Sequence, residues 1–457
     1  MIEGLKPYSE YKDSGLPWAT LIPSSWQTER AKRLFTKMQR PVRPEDDVVT
    51  CFRDGMVTLR KNRRLRGFTE ATVFSGYQGI RKGDLVIHGM DAFAGAIGVS
   101  DSDGKGTPVY NVCKPGSGVV ASYYAHTVRE MSRSQWILAL AKGIRERSTD
   151  FRYEMFGNQF VPLPPPDEQA AIVRFLDHAN RKIDGFIRAK RKLIALLGEQ
   201  KQAIIHRAVT RGLDPNAPLK PSGIPWLGEI PKHWEIIRNM ALFCHRVESG
   251  IVGLPVLQVS LRSGITAEEL DQFGRPKRLI ADATKYKLLR KGDLAYNTMR
   301  LWQGAVGVAP TDGLVSPAYV VVKPRLDVCP EFYDFVFHTE VYKQQVNRQS
   351  TGIVSDRNRL YWDSFKQMPN LKLPRKEQEE IVAFIMSETS ILNTAIARTE
   401  REIALMQEYR TRLTADVVTG KLDVRPAAAK LLTFPEPAAP ESLPDEIEDV
   451  EELSSED

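Results

Sequence analysis

The sequence is poor in cysteine, has no unbroken apolar run and carries no compact catalytic signature. Each absence removes a class of protein. Four cysteines (Cys51, Cys113, Cys244, Cys329) lie far apart in 457 residues. With no paired spacing they predict reduced thiols in a cytoplasmic protein, not a disulfide frame or a zinc site. No run of about 18 apolar residues exists, so no membrane-spanning helix is expected. The first residues, Met-Ile-Glu-Gly-Leu-Lys-Pro, lack the charged and apolar regions of a signal peptide.

Catalytic motifs are missing as well. Around Gly104-Lys-Gly-Thr107, Val99 stands where a phosphate loop needs its first glycine, and Gly106 where it needs a hydroxyl. A calcium loop from Asp101 has Asp103 and Gly106 in register but Lys105 and Val112 at ligand positions, so it reads as a surface turn. The histidines (His88, His126, His178, His206, His233, His245, His338) never fall at ligand spacings or beside a cysteine. No nucleophile elbow, dinucleotide fingerprint or amino-methyltransferase motif occurs. Neither metal nor intrinsic catalysis is expected.

What is present is size, charge and repetition. A chain of 457 residues with 42% apolar content can bury two to four cores. The formal charge of +7 is an average. From Phe434 to Asp457 there are ten acidic residues and no basic one, leaving 64 basic against 47 acidic residues, or +17, before it. So basic a body points to a polyanion, most simply nucleic acid.

The chain is written twice. Ser14-Gly-Leu-Pro-Trp18 returns as Ser222-Gly-Ile-Pro-Trp226, a shift of 208, and Ile22, Pro23 and Trp26 return as Ile230, Pro231 and Trp234. One residue is then gained. At a shift of 209, Arg81-Lys-Gly-Asp-Leu85 meets Arg290-Lys-Gly-Asp-Leu294, Gly95-Ala-Ile-Gly-Val99 meets Gly304-Ala-Val-Gly-Val308, and Glu168-Gln169 meets Glu377-Gln378. A duplicated module suits a ligand with two comparable parts.

Each copy opens with an irregular, strand-rich part in which short runs such as Asp84-Leu-Val-Ile-His88 are broken by Gly, Pro and Asp-Gly turns. A mixed, mostly β globule is expected. A long helix follows each globule, starting behind Pro164-Pro-Pro166 with Asp167 and Glu168 where a helix start favours acids. Apolar residues recur at four-three spacing at Ile172, Leu176, Ile183, Leu193, Leu197 and Ile204. In the second copy they are Ile381, Ile385, Leu392, Ile396, Ile403, Met406 and Leu413. So narrow a seam predicts that the two helices pair, most simply as an antiparallel coiled coil. The rod, about 66 Å long at ~1.5 Å per residue, would act as a ruler between the globules. The expected boundaries are 1–166, 167–213, 214–375, 376–424 and a disordered acidic tail 425–457.

Basic and polar residues are the candidate DNA contacts. One group is Arg53, Arg60, Lys61, Arg63, Arg64 and Arg66, and another Lys142, Arg145 and Arg147. The second copy offers Arg262 and the stretch with Ser355, Arg357 and Arg359. Between the matched Gly-Asp-Leu and Gly-Ala-x-Gly-Val, the first copy has His88, Asp91 and Phe93. The second has Asn297, Thr298, Arg300, Trp302 and Gln303. The scaffold is shared and the polar contents differ, as expected if the copies read different base pairs.

These motifs together resemble the specificity subunit (HsdS) of type I restriction–modification systems. The carriers are the Ser-Gly-x-Pro-Trp…Ile-Pro-x-x-Trp openings, the Gly-Asp-Leu strands, the helix starts ending in Gln169 and Gln378, and the helix exits ending in Asp214 and Asp423, within residues 14–424. The resemblance implies an α+β fold of two homologous, mostly β target recognition domains joined by the helix pair with pseudo-two-fold symmetry. It also implies that each domain reads half of a bipartite, asymmetric DNA site. The implied partners are double-stranded DNA, two methyltransferase subunits and restriction/translocase subunits. S-adenosylmethionine, ATP and magnesium would sit on those partners, with no cofactor and no catalysis on this chain. A type IIB-like specificity subunit and a non-catalytic bivalent DNA-binding scaffold are the alternatives. The acidic tail departs from the family pattern.

Overall fold

The computed structural model describes residues 5–63, 76–140, 150–224, 227–261, 264–267, 282–350 and 359–431. The chain divides into two compact units, Met1–Ala189 with Glu402–Asp457, and Lys190–Arg401. This differs from the boundaries expected from sequence. The division runs through both long helices, so each unit combines one globule with part of each helix. The reason is the seam itself, whose contacts bind helix segments to each other and to the neighbouring core.

The first unit is built on an antiparallel sheet of β1 (Phe35–Met38), β2 (Leu85–His88), β3 (Ile97–Val99) and β4 (Tyr110–Pro115), in the order β1-β4-β2-β3. In the second unit β5 (Phe243–His245), β6 (Leu294–Asn297), β7 (Val306–Val308) and β8 (Tyr319–Pro324) repeat it as β5-β8-β6-β7. Even the register returns: His88 faces Tyr110 as Asn297 faces Tyr319. The strands read as unbroken apolar runs because both faces are covered. Leu85 and Ile87 enter the larger core and Val86 a smaller one; Leu294 and Tyr296 point one way and Ala295 the other.

The helices used below are α1 (Ala121–Arg133), α2 (Trp136–Leu140), α3 (Pro166–Arg211), α4 (Pro330–Phe337), α5 (Glu340–Gln349), α6 (Arg375–Val418) and α7 (Arg425–Ala429). The motifs common to both copies are structural. Asp84 and Asp293 are buried, accept from the Arg81 and Arg290 amides at 2.8 and 3.0 Å, and pair with Arg40 and Arg246. Gly83 and Gly292, at φ of +90° and +84°, supply the left-handed step before them. The Glu-Gln pair fastens each long helix to its own globule. Gln169 accepts from the Val120 amide at 2.9 Å and donates to the Pro164 carbonyl at 2.8 Å. Gln378 accepts from the Cys329 amide at 2.8 Å and donates to the Leu373 carbonyl at 2.9 Å. Glu168 and Glu377 each accept from a buried tryptophan, Trp26 and Trp234, at 2.9 Å.

In the first unit Ile172, Leu176 and Leu413 share a core, Ile183 is buried, and Asp184 pairs with Arg410. In the second, Ile381 and Ile385 are in the core, and Lys201 donates to Asn393 at 2.8 Å. Leu197, Ile204, Leu392, Ile396, Ile403 and Met406 are half-buried. Leu193 is a correction. It is 40% exposed, while Ile187 is buried and Ile194 half-buried. From Ile183 the seam steps four residues to Ile187, where strict alternation asked for three. A nearly straight helix of 3.6 residues per turn drifts against a strict heptad, and a second step of four restores the stripe.

Two other expectations change. By length and composition α6 holds an 18-residue window apolar enough to cross a membrane, although Ser387, Glu388, Ser390, Asn393 and Thr394 break up its apolar residues. The tail does not begin at 425. Arg425 pairs with Asp423 at 2.8 Å, and α7 sets Ala428 into the core. Tertiary docking outweighs the Ala- and Pro-rich composition there; residues 432–457 lie outside those described.

Candidate nucleic-acid interface

The hairpin tips joining β2 to β3 and β6 to β7 are where shared scaffold and differing chemistry meet. Both end in a 3₁₀ turn, Ala92–Ala94 and Leu301–Gln303, closed by a left-handed glycine, Gly95 at φ +89° and Gly304 at φ +99°. The backbone before the turn is alike, with φ/ψ of −111°/9° at Asp91 and −125°/10° at Arg300. Both tips expose a methionine, Met90 at 46% and Met299 at 36%. The residue at 91 in the first copy is therefore an acid and its match at 300 a base, on one backbone.

In the first copy the Asp91 carboxylate accepts from Arg53 Nη2 at 3.1 Å. His88 is a correction among the candidate contacts. Its ring is 18% exposed, its Nδ1 accepts from the Asp91 amide at 3.1 Å, and it lies beside Tyr110. Burial holds its pKa below the ordinary value, so at neutral pH it is uncharged and serves the turn. Arg63 pairs with Asp54 at 2.6 Å and lies 4.4 Å over the Phe52 ring, at the neighbouring Asp54-Gly55 turn. Arg60 donates from Nε to Thr50 Oγ1 at 3.2 Å, and Lys61 pairs with Asp47 at 2.6 Å. These last two lie in the 3₁₀ turn Arg60–Asn62, not at the tip. Exposed pairs of this kind contribute only about 0–1 kcal/mol, so a phosphate can displace the acid. A cavity of about 610 Å³ opens beside Gly89 and Met90, with Lys37, Asn111 and Arg152 in its wall.

In the second copy Asn297 caps its own turn, accepting from the Met299 amide at 2.9 Å. Thr298 is a second correction. It is buried and donates to the Ala318 carbonyl at 3.1 Å, which leaves it a structural role. Trp302 donates to the Met299 carbonyl at 2.9 Å and is half-buried against the core, while Gln303 is exposed. Arg300 is exposed, and among the described residues its side chain has no hydrogen-bond or ion-pair partner. Arg359 is exposed, donates to Tyr361 Oη at 3.2 Å, and adjoins Leu360, whose amide bonds the Thr298 carbonyl. The fold thus brings Arg53, Arg63 and Asp91 together in one copy, and Asn297, Arg300, Gln303 and Arg359 in the other. Arg64, Arg66, Lys142, Arg145, Arg147, Arg262, Ser355 and Arg357 lie outside the described residues.

No group of three or more His, Cys, Asp or Glu side chains is placed to hold a metal among the described residues. The four cysteines are unpaired.

The chain is 32% identical over 294 residues to the specificity subunit of the type I restriction enzyme MjaVIII of Methanocaldococcus jannaschii. The match covers 60% of this chain and 64% of that relative, so the chain spans somewhat under two thirds of its length. The likeness to type I specificity subunits holds. No family model matches. In fold, the chain is similar to a structure described as the basis of complex assembly and conformational transition of the type I R-M system. The TM-score is 0.61 at 13% identity, covering 87% of this chain and 98% of that one. The HsdS subunit from Thermoanaerobacter tengcongensis is aligned over 88% of this chain and 98% of its own at 16% identity, with a TM-score of 0.45. The first of these two structures shares this chain's mixed helix-and-strand fold. The chemistry at the tips must be read from this chain's own residues.

Proposed function

We propose that this chain is the DNA-reading subunit of a type I restriction–modification complex, each copy reading one half of a bipartite, asymmetric site. The carrying observation is the tip pair, one backbone presenting Asp91 in the first copy and Arg300 in the second. An arginine suits the O6 and N7 acceptors of guanine, and a carboxylate suits the N4 amino group of cytosine, both in the major groove. The exposed methionines beside them offer apolar contact to a thymine methyl or a groove wall.

In this reading the long helices pair as an antiparallel coiled coil with pseudo-two-fold symmetry and fix the gap between the half-sites. Unburied apolar side chains on α6, Phe384, Met386 and Ile391, provide surface for partners. Those partners are two methyltransferase subunits and restriction/translocase subunits, which carry S-adenosylmethionine, ATP and magnesium. The complex acts in the cytoplasm, and this chain binds no cofactor and performs no catalysis. Its work is to place the duplex so that a partner can extrude an adenine.

Arg300→Asp tests the reading. In selection from a random duplex library by the full chain, it should lower discrimination by about 1–3 kcal/mol at one or two adjacent base pairs of a single half-site. The other half-site should be unchanged. Unaltered preference, or equal loss in both halves, would contradict the reading.

A further inference from the structure

We infer that each copy grips a DNA backbone phosphate from behind its tip, through Arg129 in the first copy and Lys343 in the second. The inference rests on the DNA-reading role proposed above and adds to it a non-specific anchor that no motif revealed.

In the first copy Arg129, on α1, lies beneath two left-handed glycines, Gly55 at φ +93° and Gly95 at φ +89°. A Cβ at Gly55 would stand 2.3 Å from Arg129 Nη1 and 2.6 Å from Cζ, so the guanidinium fills the space a side chain would need. At Gly95 the Cβ would be 4.0 Å from Nε. Among the described residues the Arg129 side chain makes neither a hydrogen bond nor an ion pair, and its Nε is buried without an acceptor. Burial, then Arg133, pull its pKa down, the mark of a cation short of counter-charge. Leaving a half-buried guanidinium unpaired is costly. A ligand that brings the negative charge removes the cost. Arg53 and Arg63 stand at the same two turns, so the approach is lined with exchangeable cations.

The second copy arrives at the same arrangement with other residues. The residue matched to Arg129 is His338, and Lys343 comes from α5. A Cβ at Gly304, the match of Gly95, would lie 3.1 Å from Lys343 Cε, 3.7 Å from its Nζ and 3.4 Å from His338 Cδ2. Among the described residues Lys343 pairs only with Glu340, an exposed i,i+3 partner at 2.8 Å that a phosphate can replace. A cation kept behind the same glycine while its residue changes is what a sequence-independent contact permits. Base-reading groups on the tip differ in sign, whereas the groups behind it do not. The ligand chemistry is a phosphate oxygen. A phosphodiester of the duplex is the source argued for here, and free inorganic phosphate is the other.

The test uses the full chain, its selected duplex and a scrambled duplex over a salt series, with Arg129→Gln, Arg129→Lys and Lys343→Gln. Arg129→Gln and Lys343→Gln should each weaken both duplexes alike, by about tenfold. Each should lower the slope of log affinity against log salt by about one. Base preference should not change, and Arg129→Lys should restore the slope. Lys343, on a surface helix, keeps the test open if Arg129→Gln fails to fold. An unchanged slope in a folded variant, or an altered base preference, overturns the anchor. Displacement of the duplex by inorganic phosphate at constant ionic strength assigns the cations to a free anion and overturns it too. A parent chain that retains no duplex at all instead overturns the DNA-reading role itself.

Discussion

Glu168→Ala should destabilise the first unit by about 3–5 kcal/mol, and Glu377→Ala the second by only about 1–2 kcal/mol. The two glutamates are matched in sequence but not in surroundings. The Glu168 side chain is 5% exposed, accepts from Trp26 Nε1 at 2.9 Å and from the Tyr8 hydroxyl, and has Arg425 at 3.9 Å. Burial first, and then Glu168 itself, push the Tyr8 pKa far above its ordinary value, so that hydroxyl stays protonated and must donate. Removing the carboxylate strands two buried donors, while Arg425 keeps its pair with Asp423. Glu377 is 24% exposed, and its second partner, His233 at 2.9 Å, is half in solvent and can turn to water. Only Trp234 is then left without an acceptor. Thermal unfolding followed by tryptophan fluorescence separates the cases. The first variant should lose roughly 10 °C or more and the second a few degrees, by the scaling for domains of this size. Equal losses would mean that the Trp–Glu bond alone, and not the closed cluster, holds the helix.

The second large effect concerns the gap between half-sites. Removing four residues within 180–195, together with the facing turn of α6, shortens the rod by about 6 Å and keeps the seam nearly in phase. At about 3.4 Å per base pair the preferred gap should contract by about two base pairs. The natural spacing should be bound at least tenfold more weakly than the shortened one. Selection on a library with variable gap length reads both. An unchanged gap would remove the ruler from the account, whatever the half-sites are.

Much of this was legible in the sequence, for reasons particular to certain residues. Gly-Asp-Leu and Glu-Gln recur because each carboxylate or amide answers at least two partners at once, so none can change alone. The strands were legible from runs such as Leu85-Val-Ile87, which are apolar on both faces. Leu193 was misplaced because a heptad count cannot see where a helix takes two steps of four. The tail was started too early because composition at 425–431 is silent about Ala428 and Arg425 docking. His88 and Thr298 look like base-edge donors in the sequence, but His88 Nδ1 accepts from the Asp91 amide and the buried Thr298 hydroxyl donates to the Ala318 carbonyl. Arg129 had no signal at all, since its match is a histidine and its functional counterpart comes from another helix.

The most direct test of the account is the sequence of the duplexes that the full chain, with its methyltransferase partners, retains from a random library. The prediction is two half-sites of different sequence separated by a fixed, unread gap. A single contiguous motif, two identical half-sites, or no enrichment would contradict it.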